Sequence, residues 1–213
     1  MDGPNNHQVG LTNRNSNSTL NNTLRKSPIS DIIANQIRKA IKPSPDSRKH
    51  SEAFVPESSL GEILSQERVQ KVLDEVHDQH PEKHDTTVDE IFNTSRDASR
   101  LKILATLVYH GQANRLYDFI HSNIWDSDLP VADSNRVFKD WPELSCDGFV
   151  ARQYLFLAPV IDFECMEHKL FEGPIPMPFL DLLDGPDEGA HGQVSKVRIH
   201  QDYQEWGERT VGT

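Results

Sequence analysis

Ser59-Leu60-Gly61-Glu62-Ile63-Leu64-Ser65-Gln66-Glu67-Arg68-Val69-Gln70-Lys71-Val72-Leu73-Asp74-Glu75-Val76 is the stretch on which the fold turns. Leu60, Ile63, Leu64, Val69, Val72, Leu73 and Val76 follow at near-helical spacing, which puts an apolar stripe on one side of a helix. Ser58 or Ser59 suits its N-cap, and Glu62 stands in capping-box position relative to Ser59. The pattern ends in a His-rich stretch before Pro81.

Helical signals continue downstream. Thr87 opens a second segment with Val88, Ile91 and Phe92 on one side. A third runs from Ala98 to Tyr109, with Leu101, Leu104, Ala105 and Val108 on one face and Gly111 as its stop. A fourth, Gln112 to Ser122, carries Leu116, Phe119 and Ile120. Short connections between them predict an antiparallel helical bundle over residues 56–125. The fold class expected is therefore mainly α: a helical bundle followed by a short β segment and preceded by a disordered arm.

Upstream, residues 1–29 are mostly Asn, Ser, Thr and Gly, which bury too little apolar area to offset the entropy of ordering. A short helix is expected over 30–42, capped by Ser30, striped by Ile33, Ile37 and Ile41, and ended by Pro43. Pro43 to Pro56 reads as a polar linker, so residues 1–55 form a disordered basic arm interrupted by that helix. After Ile124 the helical signal stops. Asp126-Ser127-Asp128, Leu129-Pro130 and Trp141-Pro142 are turn punctuation. Residues 126–177 are expected to be an extended, irregular connector, with an apolar segment at 153–163 compatible with a buried strand.

Charge narrows the function classes. The net charge is −11; residues 1–55 hold eight Lys/Arg against four Asp/Glu, so the arm carries +4 and the remainder −15. An acidic body argues against nucleic acid or anionic membrane as the main partner. The basic arm is read as a solvated tail. Cys146 and Cys165 make no CxxC and no disulfide framework, the N-terminus has no apolar signal region, and the longest apolar run has seven residues, Leu155 to Ile161. The expectation is a soluble intracellular protein of the cytoplasm, with no membrane and no nucleic-acid partner.

One segment suggests chemistry. Phe179-Leu180-Asp181-Leu182-Leu183 reads as a short strand. It is followed by Asp187-Glu188-Gly189-Ala190-His191-Gly192-Gln193-Val194 and then by a second strand, Ser195-Lys196-Val197-Arg198-Ile199-His200. Two glycines three apart between strands let the backbone approach a ligand with no Cβ in the way, and their amides can bind phosphate oxygens.

This stretch resembles the G-x-G-x-x-G-x-V loop of protein kinases, which covers the ATP phosphates. Gly189 matches the second glycine, Gly192 the third and Val194 the valine. The first glycine position falls on Asp187, whose carboxylate would repel phosphate unless the register shifts to use Gly185. Three further stretches are similar to the region ahead of the kinase-like domain in filamentous-fungal proteins. They are Arg100 to Ala105, Phe119-Ile120 with Asp126 to Pro130, and Tyr154 to Val160 with Pro178-Phe179-Leu180. The resemblance covers Ala98 to Gln204. It implies that residues 178–213 are the truncated start of a kinase N-lobe and that Gly189, Gly192 and Val194 contact ATP with its magnesium. It also implies a parent activity of Ser/Thr phosphorylation. The 213 residues contain neither H-R-D nor D-F-G, and Lys196 lies on the second strand instead of the third, so no catalytic residue is assigned and the chain alone is expected to be inactive. The competing expectation is a helical module that binds a partner protein through residues 58–124 without nucleotide.

Other candidates are weaker. His77, His80 and His84 form H-x2-H-x3-H, but Pro81 interrupts the helix and a solvated helix end is favoured over a metal site. His110 and His121 read as helix-end residues, and Trp125, Trp141 and Trp206 as packing groups. No metal ligand is assigned.

Overall fold

The computed structural model describes residues 27–45, 53–79, 88–92, 99–164, 174–183, 187–189, 192–194 and 196–205. The N-terminal arm up to residue 26, His80, His84, Cys165 and Trp206 lie outside the described residues.

The protein is mainly helical. Helices α1 (Ile29–Ala40), α2 (Glu57–Ile63), α3 (Gln66–Gln79), α4 (Val88–Ile91), α5 (Leu101–Tyr109), α6 (Leu116–His121) and α7 (Glu143–Arg152) share one apolar core. α5 is at its centre. Its residues Ile103 to Val108 are all buried, so this helix has no solvated face and is wrapped on every side. α1 packs on it with Ile33 and Ile37. Gly111, at φ 73, ends it: the Gly111 N–H donates to the Val108 carbonyl (3.0 Å) and the Gln112 N–H to the Leu107 carbonyl (2.8 Å), the paired bonds of a Schellman stop.

The long helix expected over Ser59 to Val76 is two helices. Leu64 leaves helical backbone at φ −105°, ψ 58°. The Ser65 carbonyl then accepts from the Val69 N–H (2.9 Å), starting α3, while the Arg68 guanidinium donates to Ile63 O (3.1 Å) at the end of α2. All seven apolar residues of the stripe are still buried. The five-residue step from Leu64 to Val69, too long for one helical face, is the trace of the break.

Three helices begin directly after a proline, with Pro28, Pro56 and Pro142 at the N-cap and ψ of 145°, 141° and 139°. Proline's fixed φ holds an extended entry, and each proline carbonyl accepts an early helical bond. Ser30 is therefore not the cap of α1. It sits in the first turn, where its N–H and hydroxyl donate to the Glu75 carboxylate of α3 at 3.2 and 2.7 Å. Neither Ser58 nor Ser59 caps α2.

Two expected linkers are structural. In the first, β1 (Lys42–Pro43) pairs antiparallel with β2 (Ala53–Phe54), and Phe54 and Val55 are buried. In the second, the supposed connector after residue 126 supplies α7 and 3-10 turns at Asp126–Asp128, Arg136–Phe138 and Gln153–Phe156. Phe138, Trp141 and Phe149 from this region stack around Phe119 of α6, with ring centroids 4.9–6.2 Å apart. The Trp141 indole donates to Asp118 (2.8 Å). The start of the 153–163 segment is a 3-10 turn and not a strand, and only Ile161–Asp162 (β3) is extended in a ladder.

Candidate functional site: a glycine-tipped hairpin on the helical body

β4 (Phe179–Leu182) pairs antiparallel with β7 (Val197–Ile199), with Phe179 opposite Ile199, Asp181 opposite Arg198 and Leu182 opposite Val197. Further out, β5 (Asp187–Gly189) pairs antiparallel with β6 (Gly192–Val194). The Leu183 N–H donates to Lys196 O (2.8 Å) between the two ladders, and the His200 N–H donates to Pro178 O (2.9 Å) at the open end. In the sequence the β5–β6 pair falls between the two strands of the β4–β7 pair, so the two ladders are nested. The β5–β6 register sets Gly189 opposite Gly192 and Asp187 opposite Val194. The four residues the sequence singled out are thus two cross-strand pairs at the tip, with two residues between the glycines. Lys196 is exposed between β6 and β7.

The base of the hairpin is held by a second, smaller core. Phe54, Ala158 and Tyr203 are buried together, and Leu180 of β4, Ile199 of β7 and Val160 pack on them. The Tyr203 ring meets Phe54 edge-on at 5.6 Å and its hydroxyl donates to Val55 O at 2.9 Å. Burial, with Glu57 and Asp202 nearby, pushes the Tyr203 phenol well above its ordinary pKa, so it stays a neutral donor. A second tie is Asp202, whose carboxylate accepts from the Ser58 N–H (2.9 Å) in the first turn of α2. Burial raises its pKa, but the Ser58 hydroxyl and amide together with His200 outweigh burial and leave it below the ordinary value. Last, β8 (Gln204–Glu205) runs parallel to β3, Ile161 opposite Gln204. Sequence reasoning missed this base entirely.

Beside it lies an open cavity of about 480 Å³ between α2, the first turn of α5, the Asp126–Ser127 turn and the irregular segment that carries Ala158 and Val160. Glu57 and Lys102 form an ion pair across it at 3.3 Å. Asp126 is occupied with structure: its carboxylate accepts from the Lys102 and Ile103 N–H groups, both at 3.0 Å, and so caps α5 from outside the helix. Burial pushes this carboxyl up against the pull of those two amides. Behind it, Arg100 is buried against the Trp125 ring at 3.3 Å and donates to Ile124 O at 2.9 Å.

The remaining candidates fall in the body. His77 is in the last turn of α3, and among the described residues no group of three His, Cys, Asp or Glu side chains could hold a metal. Cys146 is buried in α7 with a free thiol. His110 follows α5 and its Nε2 lies 3.1 Å from Ser145 O. No helix among the described residues is long and apolar enough to cross a membrane. Comparison of the chain with protein-family models, with characterised proteins and with solved structures found no match, so the local geometry alone carries the functional argument.

Proposed function

We propose that this chain carries the first hairpin of a protein-kinase-like N-lobe, mounted on a helical body, and that its glycine tip contacts the phosphates of ATP with magnesium. The observation that carries the reading is the register, Gly189 opposite Gly192 and Asp187 opposite Val194. Facing glycines remove the Cβ atoms from both strand ends, so a phosphate can approach the backbone there without steric obstruction. Asp187 at the outer position opposes anion binding, so affinity is expected to be weak. Phosphoryl transfer needs a positioned base and metal ligands, and the 213 residues hold no H-R-D or D-F-G to supply them. The activity assigned is nucleotide binding without catalysis by this chain.

The cavity beside α2 supports a second reading, in which the helical body binds a partner and the hairpin holds no nucleotide. Calorimetric titration with magnesium-ATP separates the two. Saturable binding that is lost in Gly189→Val and Gly192→Val supports the first. The absence of heat with the unaltered chain would leave only the second.

A further inference from the structure

We infer that Tyr203 is a positioning residue for the glycine tip, fixing the hairpin to the helical body through Val55 and Phe54; the inference rests on the nucleotide reading above. Tyr203 stands four residues beyond the end of β7 and has no place in the glycine motif. Yet it joins both strands to the body. Its N–H donates to His200 O (3.1 Å), while the His200 N–H closes the hairpin on Pro178 O (2.9 Å). The Gln204 amide donates to Ile199 O (2.7 Å), so the last residue of β7 is tied to the same turn. Leu180 and Ile199, one from each inner strand, rest on Tyr203, Phe54 and Ala158.

The other side of the joint belongs to the body. The Val55 carbonyl accepts the Tyr203 hydroxyl, and the Val55 N–H donates to Leu155 O (2.8 Å), which follows α7. Phe54 lies in β2, and β2 pairs with β1 directly after α1. The joint therefore connects α1, the turn after α7 and both strands of the hairpin at one buried phenol. A two-stranded ribbon is only marginally stable unless a face is packed, and the packed face here is the one on Tyr203. A ligand bound at the tip meets a competent loop only in the fraction of molecules whose hairpin is docked, so weakening the joint lowers apparent affinity by that fraction.

The test compares Tyr203→Phe, which keeps the ring and removes the hydroxyl, with Tyr203→Ala and with Leu116→Ala, a core change in α6 remote from the hairpin. Magnesium-ATP affinity and amide exchange of the hairpin are read in each. Expected are an affinity about tenfold weaker in Tyr203→Ala, an intermediate loss in Tyr203→Phe, and none in Leu116→Ala at a temperature where all are folded. Amides of Phe179, Leu183 and His200 should exchange about tenfold faster in Tyr203→Ala while those of α5 do not change. Unchanged affinity in both Tyr203 variants, or an equal loss in Leu116→Ala, overturns the positioning role and leaves the nucleotide reading intact. If the unaltered chain binds no ATP, the nucleotide reading fails, and hairpin exchange alone decides the joint: selective acceleration in Tyr203→Ala supports it, uniform or absent acceleration overturns it.

Discussion

The helical body and the glycine hairpin are held by different physics. The body is one continuous core in which α5 is buried over six successive residues and aromatic rings from three elements interlock. Removing any piece leaves a cavity that its neighbours cannot fill, so damage there is felt globally. The hairpin has a base of three buried residues, Phe54, Ala158 and Tyr203, and exposed apolar side chains at Leu182 and Leu183. Its opening can be local. The two regions thus differ in how much buried apolar contact holds them, and the one with the smaller core carries the glycines proposed to meet a ligand.

The sharpest way to break this contrast is Phe119→Ala. Phe119 is fully buried and touches Phe138, Trp141 and Phe149. Truncation should cost about 4 kcal/mol, lowering the thermal midpoint by roughly 8–16 °C in a chain of this size, with helix and hairpin signals lost together. Separate transitions for α-helical circular dichroism and tryptophan fluorescence would show that the body is not one cooperative unit.

Gln153→Leu should come next. Gln153 is fully buried and acts as a piece of backbone: its Oε1 accepts from the Val131 N–H (2.7 Å), and its Nε2 donates to Val131 O (2.9 Å) and Val150 O (3.1 Å). Leucine fills similar volume but orphans the Val131 groups, a loss of about 2–3 kcal/mol, visible as a lower urea midpoint with an unchanged slope. A midpoint equal to that of the unaltered chain would mean that Val131 finds other partners.

Gly148→Ala is expected to cost about 1–3 kcal/mol, because its Cβ would fall 2.0 Å from the His110 imidazole. Burial, then Arg152, holds the His110 pKa below its ordinary value, against the pull of its bond to Ser145 O. The sign follows from linkage. The unfolded chain binds the proton more readily, so the stability contributed by neutral His110 is complete above about pH 6.5 and is lost as pH falls through the depressed folded value. Thermal midpoints measured from about pH 7.5 down to pH 5 should therefore fall less steeply in His110→Gln than in the unaltered chain. Parallel profiles would remove His110 from the acid sensitivity of the body.

What the sequence shows of each region differs for a physical reason. Apolar periodicity located helical segments up to Ile124 because their apolar residues are buried, but it read α2 and α3 as one helix across the long step from Leu64 to Val69. It failed after Ile124, where Asp and Pro were read as punctuation. Pro142 starts α7, and Asp126 caps α5 from 24 residues away in contact with the Lys102 amide. Bonds of that kind are tertiary and leave no local pattern. The same holds for the hairpin. Its glycines and strands were legible as a local motif, whereas the Tyr203 joint depends on Val55, 148 residues earlier.

The smallest effect should come from the hairpin's own ion pair, and it is the most discriminating for that reason. Asp181 and Arg198 face each other across β4 and β7 at 3.1 Å, with side chains 53% and 61% exposed. Water and salt screen such a pair, so Asp181→Asn should change global stability by less than about 0.5 kcal/mol. If the ribbon is held by its buried base, exchange of the Leu183 and His200 amides should also stay within about twofold of the unaltered chain. Should these amides instead exchange much faster while the helices do not, the surface pair would be holding the ribbon. The contrast between a core-locked body and a base-held hairpin would then have to give way to one in which the hairpin is fastened along its length.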